Sequence, residues 1–287
     1  MNNPNYKFLL IQGRALPQTD DLMQYFPSNW KEEFPIINTL GFSGIEWIYD
    51  KTSEVSNPIL TKTGRMEMLD ISKKNYINLE NIQFDWFLAH PLLRNDEFSL
   101  EEKLEKLLFL LDVSRQTGFK RVIFPLLEQN SLRNNSDEEK FVKIFKDNIL
   151  QYLEKWKIEF HLETSLFPEK ELQILKKLNS KWIKICLDTG NSASYGYDPN
   201  ACIKTISNHL GSVHIKDRKL HGPSVSLGNG NVDFCRVFES LAAVDFHGPI
   251  SFQVYRNKNS DNISVLKKSM TFINNIINTT TGNVNEK

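Results

Sequence analysis

Glu163, Asp188, His214 and Gln253 each lie at or near the end of a short apolar run in the second half of the chain. The runs are Lys157 to Glu163, Trp182 to Asp188, Ser212 to Asp217 and Pro249 to Gln253. The four residues are separated by 25, 26 and 39 positions, each about one strand-plus-helix unit of a parallel barrel. Strands of such a barrel all end at one face, so this spacing gathers distant residues into one polar cluster. Two carboxylates and a neutral imidazole form a borderline ligand set. It suits Mn²⁺, Mg²⁺, Co²⁺ or Zn²⁺ better than a thiolate-loving ion. Gln253 adds a carbonyl oxygen and no charge. Ionised Glu163 and Asp188 bring one divalent cation close to neutrality and leave positions open for substrate oxygens. A cation so held polarises a carbonyl and its neighbouring hydroxyl, which favours proton loss from the adjacent carbon.

Strand parity and strand-end position select the other candidates. His161 precedes Glu163 by two and shares its face, as a support for the ligands or a substrate contact. Lys216 shares the parity of His214. Glu46 is a carboxylate inside an apolar strand, costly there unless paired; a substrate hydroxyl, Arg14 or His161 would serve. His90 follows Asp85-Trp86-Phe87-Leu88-Ala89, at or just past a strand end. An amide has no proton to give or take near neutral pH, so Gln253 is not a base. Glu46, His90 and Lys216 are then the candidates for a second proton-transfer group, with Lys216 and His90 placed among the catalytic residues. Arg14, Arg218 and Arg256 are guanidiniums near strand ends, suited to bidentate recognition of phosphate or carboxylate. One of them is expected to meet an anionic substrate group, Arg256 or Arg14 foremost; pairing with Asp217 or Glu46 is the alternative. Trp47, Trp86 and Phe87 read as core, and Cys186 as a small buried side chain. Gly228-Asn229-Gly230 reads as a loop before a helix starting near Val232, whose N-terminus offers a weak anion site.

These residues need a scaffold. Strands are expected near 7–13, 43–48, 79–87, 120–125, 157–163, 182–188, 211–216 and 249–254. Helices are expected near 29–40, 62–76, 99–117, 136–155, 168–178, 199–208, 232–243 and 261–277. Eight strands alternating with eight helices spell an α/β fold, a closed (β/α)8 TIM barrel. An open doubly wound sheet usually carries a Gly-rich first turn; here that turn is Gln12-Gly13-Arg14-Ala15. One domain is expected over 1–277, followed by a polar, frayed tail over 278–287.

Composition narrows the function. The chain has 287 residues, 40% of them apolar, enough for a sizeable core. Lys plus Arg and Asp plus Glu are 35 each, a formal charge of zero, which offers no basic track for nucleic acid. No run approaches 18 apolar residues, so no membrane span is expected. Three cysteines, an odd number without metal-motif spacing, and the absence of a signal-peptide pattern at the start point to a cytoplasmic protein.

Several strings recur in a recognisable order: Ile11-Gln12-Gly13-Arg14, Gly44-Ile45-Glu46-Trp47, Asn57-Pro58-Ile59-Leu60, His90-Pro91-Leu92-Leu93, His161-Leu162-Glu163-Thr164, Leu187-Asp188-Thr189-Gly190-Asn191, Val213-His214-Ile215-Lys216-Asp217-Arg218 and Leu227-Gly228-Asn229-Gly230. Together they resemble the sugar-phosphate isomerase/epimerase group of xylose isomerase-like TIM barrels, which also holds ketose 3-epimerases and inosose dehydratase. The resemblance implies a single divalent metal on Glu163, Asp188 and His214, with Glu163 also acting as general base. It implies an isomerase or epimerase of carbohydrate metabolism acting on a small sugar or sugar phosphate through an enediolate. A keto-polyol dehydratase and a non-catalytic sugar-binding barrel are the alternatives. A homodimer is suggested by fold analogy alone. One departure stands out: the ketose 3-epimerases end the eighth strand on a glutamate that is ligand and second base, and this chain has Gln253. The endonuclease branch of the fold needs many more histidines than the six present here.

Overall fold

A computed structural model describes residues 6–17, 24–256 and 261–282. Eight parallel strands close into a barrel: β1 (Lys7–Ile11), β2 (Gly44–Ile48), β3 (Asn78–Gln83), β4 (Arg121–Leu126), β5 (Glu159–Thr164), β6 (Ile183–Asp188), β7 (Leu210–Ile215) and, as the eighth, β10 (Pro249–Phe252). Each pairs with its sequence neighbours, and β10 returns to β1. A two-stranded antiparallel ribbon, β8 (Asp217–Arg218) with β9 (Ser224–Val225), caps the end of β7.

Alternation along the strands separates two environments. On β5, Phe160 meets Phe124 and Phe145 on the helix side, while His161 bonds Ser212 across the barrel interior. On β10, Phe252 packs against Phe8 and Phe42, while Ser251 turns inward to Glu46. The apolar core therefore lies between the strands and the helical ring, and the interior carries polar groups. Register shifts interrupt β2 before Glu46 and β6 before Cys186. Irregularities of this kind re-aim side chains near a site.

The helical ring follows local signals. In α4 (Leu100–Thr117), Ser99 and Glu102 form a reciprocal capping box and Gly118 closes the helix in the left-handed region, as this sequence pattern demands. Asp198 caps α9 (Pro199–Ile206), with Pro at its first turn. The helix expected over 136–155 is one path in three pieces: α5 (Asn135–Ile144), a π-turn over Phe145–Ile149, and α6 (Leu150–Trp156).

Two expectations change. The apolar run after Gln83 does not continue the third strand: Trp86–Ala89 is a helical turn, α3. The last helix, α11, spans Asn262–Gly282, so much of the tail expected to fray is helical. The hydroxyls of Thr279 and Thr280 donate back to carbonyls of Asn275, Ile276 and Ile277, which satisfies these polar side chains within the helix. Positions 283–287 lie outside the described residues.

Candidate active site

Glu163, Asp188 and His214 converge. One ligand atom from each lies within 4.8 Å of the others, and all three side chains are buried. Among the described residues, neither oxygen of Glu163 nor Nδ1 of His214 has a hydrogen-bond partner. A buried carboxylate without a partner is expensive; a divalent cation between these atoms removes the cost. The donor set thus fits one hard or borderline ion.

His214 is held from behind. Its Nε2 lies 2.8 Å from Glu46 Oε1, close though poorly aligned, and its Nδ1 lies 3.7 Å from Glu163. Glu46 itself is fixed: Oε2 accepts from Asn81 Nδ2 at 2.9 Å and from Ser251 Oγ at 2.7 Å. Glu46 was expected to meet a substrate hydroxyl, Arg14 or His161; instead it stands behind His214, the place that carboxylates commonly take behind metal-bound imidazoles. Burial disfavours charge on Glu46, yet His214, Asn81 and Ser251 outweigh it and hold the carboxyl below its usual range. Burial likewise opposes charge on His214, but Cys186, Glu46 and Glu163 hold the imidazole well above its usual range. A divalent cation at His214 would take the place of that proton and leave the imidazole neutral, as the sequence suggests.

Asp188 ends β6 and caps the short helix α8 (Thr189–Ser194), accepting from Asn191 N at 2.8 Å. Its other oxygen takes Lys216 Nζ at 2.8 Å, and the same ammonium reaches Gln253 Oε1 at 3.2 Å. Burial works against the Asp188 charge, and Lys216 and His214 overcome it, holding the carboxyl low. Lys216 and Gln253 thus stand at the cluster, as expected.

A second set of groups surrounds Gln24. Its Oε1 accepts from Gln253 Nε2 at 2.8 Å and from Arg14 Nη2 at 3.2 Å, and its Nε2 donates to Asp85 Oδ2 at 2.6 Å. Arg14 and Arg256 are both buried. Arg14 Nε bonds Val254 O at 3.2 Å; Arg256 Nη2 bonds Tyr25 Oη at 2.9 Å, with its guanidinium 4.7 Å from the Tyr25 ring centre. Arg14 Nη1 and Arg256 Nε and Nη1 have no partner among the described residues. Burial, and then the neighbouring Arg256, push Arg14 down to about 9. Glu33, which accepts from Gly13 N and Ala15 N at 2.9 and 3.0 Å, is raised to about 7 by burial. Unspent guanidinium N–H groups in a buried setting suit an anion.

The remaining candidates stand elsewhere. His90 caps the C-terminal end of α3, stacked on Trp86 with ring centres 4.3 Å apart, and its Nδ1 is 3.3 Å from Asp96 and 3.6 Å from Glu97. The extra helical turn removes it from the strand end that suggested a catalytic role. His161 spends Nδ1 on Ser212 at 2.8 Å and Nε2 on Glu159 at 3.2 Å, leaving no ring nitrogen for substrate. Its neighbour must be Gly211, since a Cβ there would sit 2.5 Å from the ring. Arg218 donates to Gly222 O and to Asn191 Oδ1 at 2.9 Å, so it ties the ribbon to α8 instead of facing an anion. The Gly228–Gly230 loop is filled: the backbone N–H groups of Gly228, Gly230 and Val232 donate to the Asp217 carboxylate at 2.9, 2.8 and 3.2 Å. Trp47 donates to Asn57 at 3.0 Å within an aromatic cluster, as a core residue would.

Two groups escaped the sequence reading. Asp85 shares the parity of Asn81 and Gln83 on the inward face of the third strand, a signal obscured by the apolar residues around it. Gln24 sits in the segment after β1, where no periodicity points to it.

The whole barrel has counterparts. The family model for the xylose isomerase-like TIM barrel matches residues 34–276. An L-ribulose-5-phosphate 3-epimerase, UlaE, of Shigella flexneri serotype 5b is 22% identical over 255 residues, covering 85% of this chain and 88% of that protein. Among solved structures, an L-ribulose 3-epimerase superposes with a TM-score of 0.75 at 16% identity, over 98% of this chain and 97% of that one. D-psicose 3-epimerase from Clostridium cellulolyticum H10, solved with D-tagatose, gives 0.73 at 13% identity, over 94% and 99%. These superpositions speak for the fold, and the sequence match over most of the chain for kinship: the chain belongs to the xylose isomerase-like TIM barrel family.

Proposed function

We propose that the protein is a divalent-metal-dependent epimerase or isomerase of a small ketose, phosphorylated in its preferred form. The observation that carries this reading is the buried trio Glu163, Asp188 and His214, with both Glu163 oxygens and His214 Nδ1 unpartnered among the described residues. The relatives named as ribulose-phosphate 3-epimerases and the ketose 3-epimerase structures support the substrate class.

Glu163, Asp188 and His214 would hold the cation, with Gln253 Oε1 near enough to serve as a further oxygen donor. When bound, the cation supplies Lewis-acid stabilisation to a substrate carbonyl and its adjacent hydroxyl. Glu163 removes the proton from the carbon beside the carbonyl, and the bonding pair moves towards the carbonyl oxygen as the enediolate forms. Lys216 places an ammonium beside Asp188 and Gln253, where it steadies negative charge developing on substrate oxygen. Arg14 and Arg256, with N–H groups that have no partner among the described residues, bind the substrate's anionic end.

A panel of epimeric ketoses and their phosphates, incubated in D₂O with Mn²⁺ and read by NMR, tests the reading. Deuterium entering beside the carbonyl, together with a new epimer or isomer, is expected. Loss of water from the substrate would point to a dehydratase, and no exchange on any member would sink the proposal.

A further inference from the structure

Inverting one carbon takes a proton from one face and returns another to the opposite face. Glu163 serves one face. Gln253, at the end of the eighth strand, has an amide and cannot serve the other. We propose that Asp85 is the second proton carrier of this site, giving its proton to the substrate face opposite Glu163. The inference rests on the epimerase reading above.

Position comes first. Around the closed barrel, β3 lies two strands from β5, which carries Glu163, and four from β7, which carries His214, so Asp85, just beyond β3, approaches the cluster from a different direction than Glu163. Its side chain belongs to the same hydrogen-bonded chain as Gln253, through Gln24. Gln24 Oε1 is already committed to Gln253 and Arg14, which turns the Gln24 amide N–H groups towards Asp85. That donor fixes Asp85 Oδ2, while Oδ1 is buried with no partner among the described residues. A carboxyl so arranged has one oxygen for anchorage and one for chemistry.

Elimination comes second. Glu46 is anchored by Asn81 and Ser251 through Oε2, with Oε1 turned 2.8 Å behind His214, and the Lys216 ammonium is tied to Asp188 and Gln253. His161 has both ring nitrogens bonded. His90 sits with Asp96 and Glu97. Cys186 is pushed up to about 11 by burial, too weak an acid at neutral pH. Asp85, in contrast, is raised to about 7, by burial first.

The step balances without a further reagent. Glu163 takes the C–H proton, the bonding pair forms the carbon–carbon double bond of the enediolate, and the carbonyl pair moves onto oxygen. The carbonyl then re-forms as the same carbon takes the Asp85 proton on its other face. Glu163 ends protonated and Asp85 ionised; exchange with solvent, or the reverse reaction, restores both.

The test is Asp85→Asn in the full chain with Mn²⁺, on two epimer pairs: L-ribulose 5-phosphate with L-xylulose 5-phosphate, and D-fructose with D-psicose. In D₂O the wild type exchanges the proton beside the carbonyl in both members of the pair it accepts. The variant is expected to exchange it only in the epimer whose C–H faces Glu163, while formation of the other epimer falls by ~10² to 10⁴. Asp85→Glu should restore part of the inversion, and equal Mn²⁺ stoichiometry confirms an intact fold. Exchange lost equally from both epimers, or inversion left at the wild-type rate, overturns the assignment. A wild type that exchanges neither pair removes the epimerase reading, and this inference with it.

Discussion

The two sides of the barrel mouth carry opposite kinds of incompleteness. On the β5–β7 side, the atoms without a partner among the described residues are both Glu163 oxygens and both ring nitrogens of His214. On the side of β1 and β10, those without a partner among the described residues are donors: Arg14 Nη1 and Arg256 Nε and Nη1. Buried polar groups are normally satisfied, so each side describes what it lacks. One side is shaped for a cation, the other for an anion. Gln253 and Gln24 stand between them as neutral connectors, which lets opposite charges sit close together without neutralising each other. Under the proposed function, a substrate with hydroxyls at one end and a phosphate at the other would complete both.

Glu163→Gln should have the largest effect. It removes a ligand and the base together, so turnover should fall by at least the ~10² to 10⁴ typical of losing a general base, measured as epimer formation by NMR. A variant retaining most of its rate would erase the distinction between the two sides. Next comes Glu46→Gln, which leaves the ligands in place but loosens His214. Mn²⁺ affinity should drop roughly 10- to 100-fold in a titration followed by electron paramagnetic resonance, with the anion side untouched.

Arg256→Met probes the other side alone. Losing a charged hydrogen bond of ~1.5–3 kcal/mol should lower kcat/KM for a phosphorylated ketose by roughly 10- to 100-fold, and leave Mn²⁺ affinity and the unphosphorylated ketose little changed. Equal losses on both ketoses would show that the arginine serves the fold and not an anion.

The smallest effect on turnover should come from Glu171, which accepts from Thr164 Oγ1 at 2.7 Å beside the Glu163 strand end. Burial raises its carboxyl from 4.5 to about 7. Between those values the folded chain keeps a proton that the unfolded chain has released, so stability falls as pH rises across that window and levels off above it. Glu33 and Asp85 are also raised to about 7 and add the same sign. Glu171→Gln should flatten part of this slope, by about 3 kcal/mol at most, in urea melts at pH 5 and pH 8. An unchanged slope would contradict the assignment of a protonated carboxyl there.

The cation side was the legible one. Period-two alternation and strand-end position mark Glu163, Asp188 and His214 directly, because regular strands repeat the same geometry. Glu46 was visible as a buried charge needing a partner, but its partner, His214, lies five strands later in the chain, and no local pattern announces a pairing across a barrel. The other side depends on irregular segments. Asp85 was hidden because Phe84, Trp86 and Phe87 prolong an apolar run, whereas the backbone turns into α3 and sets His90 beside Asp96 and Glu97. Gln24 acts through contacts with Arg14, Asp85 and Gln253 that only the closed fold brings together. Arg218 stood behind Arg14 and Arg256 as a third guanidinium near a strand end, and the short ribbon after β7 supplies it with the carbonyl of Gly222.

The most direct test of the central claim is the Mn²⁺ stoichiometry of the purified full chain, followed by electron paramagnetic resonance in the wild type and in Glu163→Gln, Asp188→Asn and His214→Gln. One tightly held ion per wild-type chain, weakened in every variant, is the predicted result. A wild type that takes up no divalent ion, or variants that hold it as tightly as the wild type, would contradict the site.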